Sequence, residues 1–157
     1  MKSVLTKIPD ESGATASTAH YDTLEFFPRK QKYAILIPVW NEGERIHSQL
    51  KKIEARHFPC DVVLVDAGST DGSVAPEKIR EVNIRCLIKT RIRGHLSADV
   101  RAGLSYILKE GYQGLILMDG NYKDSVHSIS SFLGALEAGY DLAQGSRFLV
   151  GGRAENT

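Results

Sequence analysis

Two short stretches, YAILIPV from Tyr33 and DVVLVD from Asp61, are apolar without alternation. A strand with one solvated face alternates apolar and polar residues. A continuous run of branched residues, closed by a proline or an acid, suits a strand buried on both faces. Three later stretches have related character: NIRCLIKT from Asn83, GLILMD from Gly114 and YDLAQGSRF from Tyr140. The segments between them carry helical spacing instead. Ile46, Leu50 and Ile53 recur on one face, and Asp71-Gly72-Ser73 opens a short helix running to about Arg80. Leu96, Val100, Gly103, Leu104, Ile107 and Leu108 mark the clearest helix, with Gly111 where a left-handed cap belongs. Val126, Ile129, Phe132, Leu133 and Leu136 mark another, from Ser125 to about Ala138. Alternating strands and helices predict an α/β fold: a Rossmann-like, mainly parallel sheet with helices on both faces.

The chain has 157 residues, enough for one domain, and 42% hydrophobic content supports a packed core. Residues 1–32 are polar and aperiodic and read as a poorly ordered N-terminal arm, leaving 33–157 as the folded domain. The net charge of +1 argues against nucleic-acid binding through bulk positive charge. Cys60 and Cys86 show no metal or redox spacing and read as reduced thiols. No run approaches the roughly 18 apolar residues of a membrane span, and the N-terminus has no secretory core. The expectation is a cytoplasmic protein, with attachment at the cytoplasmic face of a membrane left open.

Parallel α/β sheets bind ligands beyond the carboxyl ends of their strands. Here those ends are Pro38-Val39-Trp40-Asn41-Glu42, Asp66-Ala67-Gly68-Ser69-Thr70-Asp71, Thr90-Arg91-Ile92-Arg93-Gly94, Asp119-Gly120-Asn121 and Gly145-Ser146-Arg147. Asp66 closes a buried strand, where a carboxylate can accept from a nucleobase edge or ribose hydroxyls, or can cap its own turn. Gly68 and its neighbours can turn backbone amides to an anion. Asn41 and Glu42 either face the same crevice or simply begin the next helix. Asp119 and Asn121, at i and i+2, can offer oxygens to one hard cation, Mg²⁺ or Mn²⁺. Asp-Gly and Gly-Asn are also good turn pairs, and the stretch alone favours the turn. Arg91, Arg93 and Arg147 suit phosphate oxygens or a solvated surface, and His95 is a weaker phosphate candidate. Neither a G-x-G-x-x-G after the first strand nor a P-loop is present.

The ordered series ILIPVWNE, VVLVDAGSTDGS, GLILMDGNYKD and AQGSRFLVGG resembles family 2 glycosyltransferases, most of all the branch with dolichyl-phosphate mannose synthase and polyprenyl-phosphate sugar transferases. The resemblance covers about Tyr33 to Gly152. It implies the nucleotide-sugar-binding GT-A fold and inverting transfer of a sugar from a UDP- or GDP-linked donor to an acceptor such as a polyprenyl phosphate or another glycan. It implies a donor site of Pro38, Asn41, Glu42, Asp66, Gly68, Arg93, Asp119 and Arg147. Asp119 and Asn121 stand at the family's Asp-x-Asp metal motif, and Asp119 and Asp124 are the catalytic candidates. With the resemblance, the reading of Asp119–Asn121 shifts from turn to metal and phosphate site.

Departures are Asn121 for the second acid, Ala67 for an aspartate after Asp66, and no Gly-x-Gly after Arg93. The chain also stops at Thr157, where family members continue with an acceptor-facing wall. This leaves open a donor-binding module without turnover, peripheral membrane association, and a homo-oligomer that covers exposed apolar surface. A nucleotidyltransferase would carry a Gly-rich basic loop after the first strand, which PVWNEGER does not resemble.

Overall fold

The computed structural model describes residues 4–7, 21–90, 96–146 and 148. In chain order the elements are β1 (Val4–Lys7), β2 (Tyr21–Glu25), β3 (Tyr33–Val39), α1 (Glu44–Glu54), β4 (Cys60–Asp66), α2 (Pro76–Ile79) and β5 (Cys86–Thr90). Then come α3 (Leu96–Lys109), β6 (Gly114–Leu117), a 3-10 turn (Val126–Ser128), α4 (Ile129–Glu137) and β7 (Leu142–Gln144).

The strands form a seven-stranded sheet ordered β2-β5-β4-β3-β6-β1-β7. β5, β4, β3 and β6 are mutually parallel. β1 is antiparallel to both β6 and β7, so β7 runs in the direction of the parallel set. The five strands read from apolar runs are thus the five that share one direction. Every residue of β3 is buried, as its unbroken apolar run requires.

Alternate residues of β3 feed two cores. Tyr33, Ile35, Ile37 and Val39 meet Ile46, Leu50 and Ile53 of α1, Ile79 of α2, and Ile129, Phe132, Leu133 and Leu136 of α4. On the other face, Ala34 and Leu36 meet Tyr106 and Ile107 of α3. Each fully buried aliphatic side chain of this kind contributes about 1.5–3 kcal/mol.

Within the expected arm of residues 1–32, the described residues form two strands. β2 pairs antiparallel with β5 from Tyr21↔Thr90 to Glu25↔Cys86, and β1 fills the position between β6 and β7. An edge strand exposes much of its side-chain surface, so β2 (YDTLE) carries no continuous apolar run to betray it. Long-range contacts also hold the segment after it. Asp61 is buried, and its Oδ2 accepts from Lys30 N at 3.0 Å, Gln31 N at 3.2 Å and the Tyr112 hydroxyl at 2.7 Å. Buried Arg85 donates to the Tyr106 hydroxyl and to Glu110 Oε2, and the Tyr106 hydroxyl donates to Glu25 Oε1 at 2.9 Å.

Other boundaries shift as well. The helix expected from Asp71 to about Arg80 is only Pro76–Ile79, because Asp71 and Ser73 are engaged in loop hydrogen bonds. The helix from Ser125 begins as a 3-10 turn, and β7 is shorter than YDLAQGSRF. Gly111 has φ 71°, the left-handed cap its position predicted. Both cysteines are free thiols, and burial pushes Cys60 up to about 12 and Cys86 to about 11. No helix among the described residues is long and apolar enough to cross a membrane.

Gly103 sits where α3 presses on the sheet. A Cβ there would lie 2.6 Å from Leu36 Cδ1 and 2.9 Å from Val65 Cγ2. Gly103→Ala should therefore force α3 outward and destabilise the fold by about 1–3 kcal/mol. Urea denaturation should show a lower midpoint with an unchanged slope.

Candidate functional site

Strand order places the site. From β3 the chain proceeds to β4 and β5 on one side, then crosses to β6 on the other. The crevice at such a reversal, at the carboxyl ends of the strands, is where open α/β sheets take ligands. Pro38 helps to open it. The β3–β6 ladder ends at Leu36↔Leu117, followed by the bond from Met118 N to Leu36 O at 3.0 Å. Backbone groups of alternate residues point to the same neighbour, so Pro38 also faces β6, and having no N–H it cannot extend the ladder. Gly120 fills the parting: a Cβ there would lie 2.9 Å from Pro38 O. Its lack of a side chain serves packing against β3.

Around Asp119 the loop is closely determined. Asp119 N donates to Asp124 Oδ2 at 3.0 Å, and Asp124 is buried. Asn121 Nδ2 donates to Asp119 Oδ2 at 3.2 Å, and Lys123 N donates to Asn121 Oδ1 at 3.0 Å. Burial raises the Asp119 carboxyl above its ordinary range, and the charges of Asp124 and Glu42 raise it further. Glu42 Oε2 lies 3.0 Å from Arg45 Nη2. Asp119 is thus an acid held among acids just beyond the end of β6.

The second half of the crevice is an interlock between the loops after β3 and β4. Asp66, paired with Val39 in register, is buried, and its Oδ1 accepts from Gly68 N at 3.1 Å and Ser69 N at 2.8 Å. Asn41, at φ 51°, donates from its backbone N to Ser69 Oγ at 3.0 Å, and its Oδ1 accepts from Thr70 N at 2.8 Å. Asp71 Oδ2 accepts from Gly43 N at 2.9 Å, at the start of α1. Ser73 bonds to Asp71 Oδ1 and, as the leading cause, lowers that carboxyl's pKa. Asp66, Asn41 and Asp71 therefore shape the loops on which Glu42 stands.

Of the expected site residues, Pro38, Glu42, Asp119, Asn121 and Asp124 gather on one flank of the β3 end. Asn41, Asp66 and Gly68 lie on the other. Arg91, Arg93, His95 and Arg147 lie outside the described residues. The sequence reading missed Gln49. It is fully buried on α1, and its Nε2 donates to Asp119 O at 2.8 Å while its Oε1 accepts from Tyr122 N at 3.1 Å. The available signal was a polar amide on the apolar face that also carries Ile46, Leu50 and Ile53.

The donor set fits a hard cation. It consists of oxygens, with local negative charge from Asp119, Asp124 and Glu42. The Asn121 carbonyl oxygen, which accepts from Lys123 N, is a further oxygen at this end of the loop. Among the described residues no group of three His, Cys, Asp or Glu side chains forms a closed metal cage. A cation at Asp119 would complete its shell with water and ligand oxygens, the common arrangement for Mg²⁺.

Residues 34–156 match the family model described as glycosyl transferase family 2. The chain is 30% identical over 135 residues to polyprenol monophosphomannose synthase of Mycolicibacterium smegmatis, covering 80% of this chain and 49% of that one. It is 27% identical over 132 residues to dolichol-phosphate mannosyltransferase of Pyrococcus furiosus, covering 80% and 36%. The chain thus spans about half or less of the length of these relatives.

Because the Asp119 carboxyl is raised in the fold, its ionisation opposes folding. That extra stability is present below the unfolded carboxyl's pKa and is lost as pH rises through the folded one. Asp119→Asn should therefore raise the Tm of the metal-free protein at pH 7, by on the order of 2 °C. Thermal scans in acid, below the ordinary aspartate range, should show the gain vanish.

Proposed function

The chain belongs to glycosyl transferase family 2, and from that premise we propose that it is the donor-binding part of an enzyme that moves a sugar from a nucleotide diphosphate donor to a polyprenyl phosphate. The names of the two relatives support mannose as the sugar and a polyprenyl phosphate as the acceptor. GDP and UDP are the two donor nucleotides to be tested. The observation that carries the reading is Asp119, a half-buried acid raised by burial and then by the charges of Asp124 and Glu42, where the ends of β3 and β6 part.

In this reading Asp119 and Asn121 hold Mg²⁺ or Mn²⁺. When bound, the cation neutralises charge developing on the departing nucleoside diphosphate. Asp124 keeps the Asp119 backbone in place through their hydrogen bond. Glu42 and Asp66 flank the position of the nucleoside, and the Asn41–Thr70 interlock holds their loops. The acceptor phosphate attacks the anomeric carbon opposite the leaving group, which inverts that centre. It is already ionised at neutral pH and needs little help from a general base. Positioning and charge neutralisation therefore supply most of the catalysis. A polyprenyl acceptor is a membrane lipid, so the reaction takes place at a membrane surface.

Calorimetric titration with GDP and with UDP, each with and without Mn²⁺, should give metal-dependent binding of one nucleotide. Asp119→Ala should weaken the metal-dependent part by about tenfold or more. That part should also weaken as pH falls toward the raised Asp119 carboxyl, because the protonated acid no longer holds a cation. Equal binding with and without Mn²⁺ in the wild type would reject the metal assignment.

A further inference from the structure

The loop that follows Asp119 contains a conformation its own sequence disfavours. Tyr122 has φ 62°, in the left-handed region that a bulky side chain rarely adopts. A strained residue persists only where its surroundings over-determine it, and such residues gather at functional sites. Here the surroundings belong to α1. Gln49 uses both ends of its amide, donating to Asp119 O at 2.8 Å and accepting from Tyr122 N at 3.1 Å. One turn along the helix, Lys52 Nζ lies 4.6 Å from the centre of the Tyr122 ring. Helix residues three apart share a face, so both grips come from one side of α1.

Gln49 is fully buried, and both its partners are backbone groups. A buried amide among apolar residues is costly unless both ends are satisfied. An apolar residue would serve packing against Ile46, Leu50 and Ile53 equally well. What the amide adds is a fixed spacing between the Asp119 carbonyl and the Tyr122 amide, the two ends of the stretch that contains Asn121. The same helix begins at Glu44, with Gly43 as its N-cap directly after Glu42.

We infer that Gln49 is a positioning residue for the donor site: it clamps the Asp119–Tyr122 loop so that Asp119 and Asn121 face one cation, and it joins that loop to the helix that follows Glu42. The inference rests on the donor-site reading above. Gln49 touches neither donor nor cation; it acts through the loop.

The test is calorimetric titration with GDP and UDP, at zero and at saturating Mn²⁺, on wild type, Gln49→Met, and Gln49→Met combined with Tyr122→Gly. Methionine keeps the volume and removes both hydrogen bonds. The Mn²⁺-dependent binding should weaken by about tenfold, the scale of one or two lost hydrogen bonds, while metal-free binding changes less than about twofold. Glycine adopts a left-handed φ without strain, so Tyr122→Gly in the Gln49→Met background should recover about threefold or more of the loss. A residue that merely packs would lower both kinds of binding alike and show no recovery, and either result overturns the inference. Unchanged Mn²⁺-dependent binding in Gln49→Met overturns it too, while leaving the donor site standing. Absence of Mn²⁺-dependent binding in the wild type overturns the donor-site reading itself. If Gln49→Met does not fold, hydrogen exchange of the wild-type Tyr122 amide decides. Strong protection that deepens with Mn²⁺ and nucleotide supports the clamp, and exchange at the rate of an open loop rejects it.

Discussion

The rigidity of β3 underlies the rest of the structure. It is hydrogen-bonded to β4 along its whole length and to β6 along its first part, and it packs against helices on both faces. Close packing on all sides leaves such a strand one conformation. Its carboxyl end is therefore a fixed reference from which the ligand loops depart. The break in the β3–β6 ladder after Leu36 follows from Pro38, which has no N–H to give. The parting there leaves no N–H of Pro38 unpaired, and Gly120 enters it because it carries no Cβ.

Against that rigid floor the site concentrates negative charge. Asp119 is half-buried and faces the fields of Asp124 and Glu42. In the free protein this arrangement opposes folding, and a cation bound as proposed would reverse the sign of the interaction. The opposition between stability and binding is common where a site needs a group that the fold alone would not favour. The loop hydrogen bonds of Asp124, Asn121 and Gln49 hold the arrangement against its own repulsion.

The opposite end of the sheet is organised differently. Arg85 lies between the rings of Tyr106 and Tyr112, 5.3 and 5.6 Å from their centres, and pairs with Glu110. Asp61 collects three hydrogen bonds from Lys30, Gln31 and Tyr112. A buried ion pair adds little net stability, but removing one partner strands the other. This network ties the segment after β2 to the start of β4 and the end of α3. It supports the scaffold and stands apart from the strand ends of the proposed donor site.

Much was legible in the sequence because it depends on neighbours along the chain. Unbroken apolar runs gave β3, β4 and β6, shorter apolar stretches gave β5 and β7, and helical spacing gave α1, α3 and α4. Other features required the folded chain. β2 lacks an unbroken apolar run, and β1 takes its place through pairing with β6 and β7. Asn41 and Asp71 read locally as ligand or cap residues, yet each bonds to the other's loop. Gln49 reads as an odd polar residue on an apolar helix until Asp119 and Tyr122, some seventy residues away, are brought to its two ends. Local sequence determines which elements form and which groups they offer. Only tertiary packing decides which of those groups meet, because that depends on strand order, and strand order is settled by long-range burial.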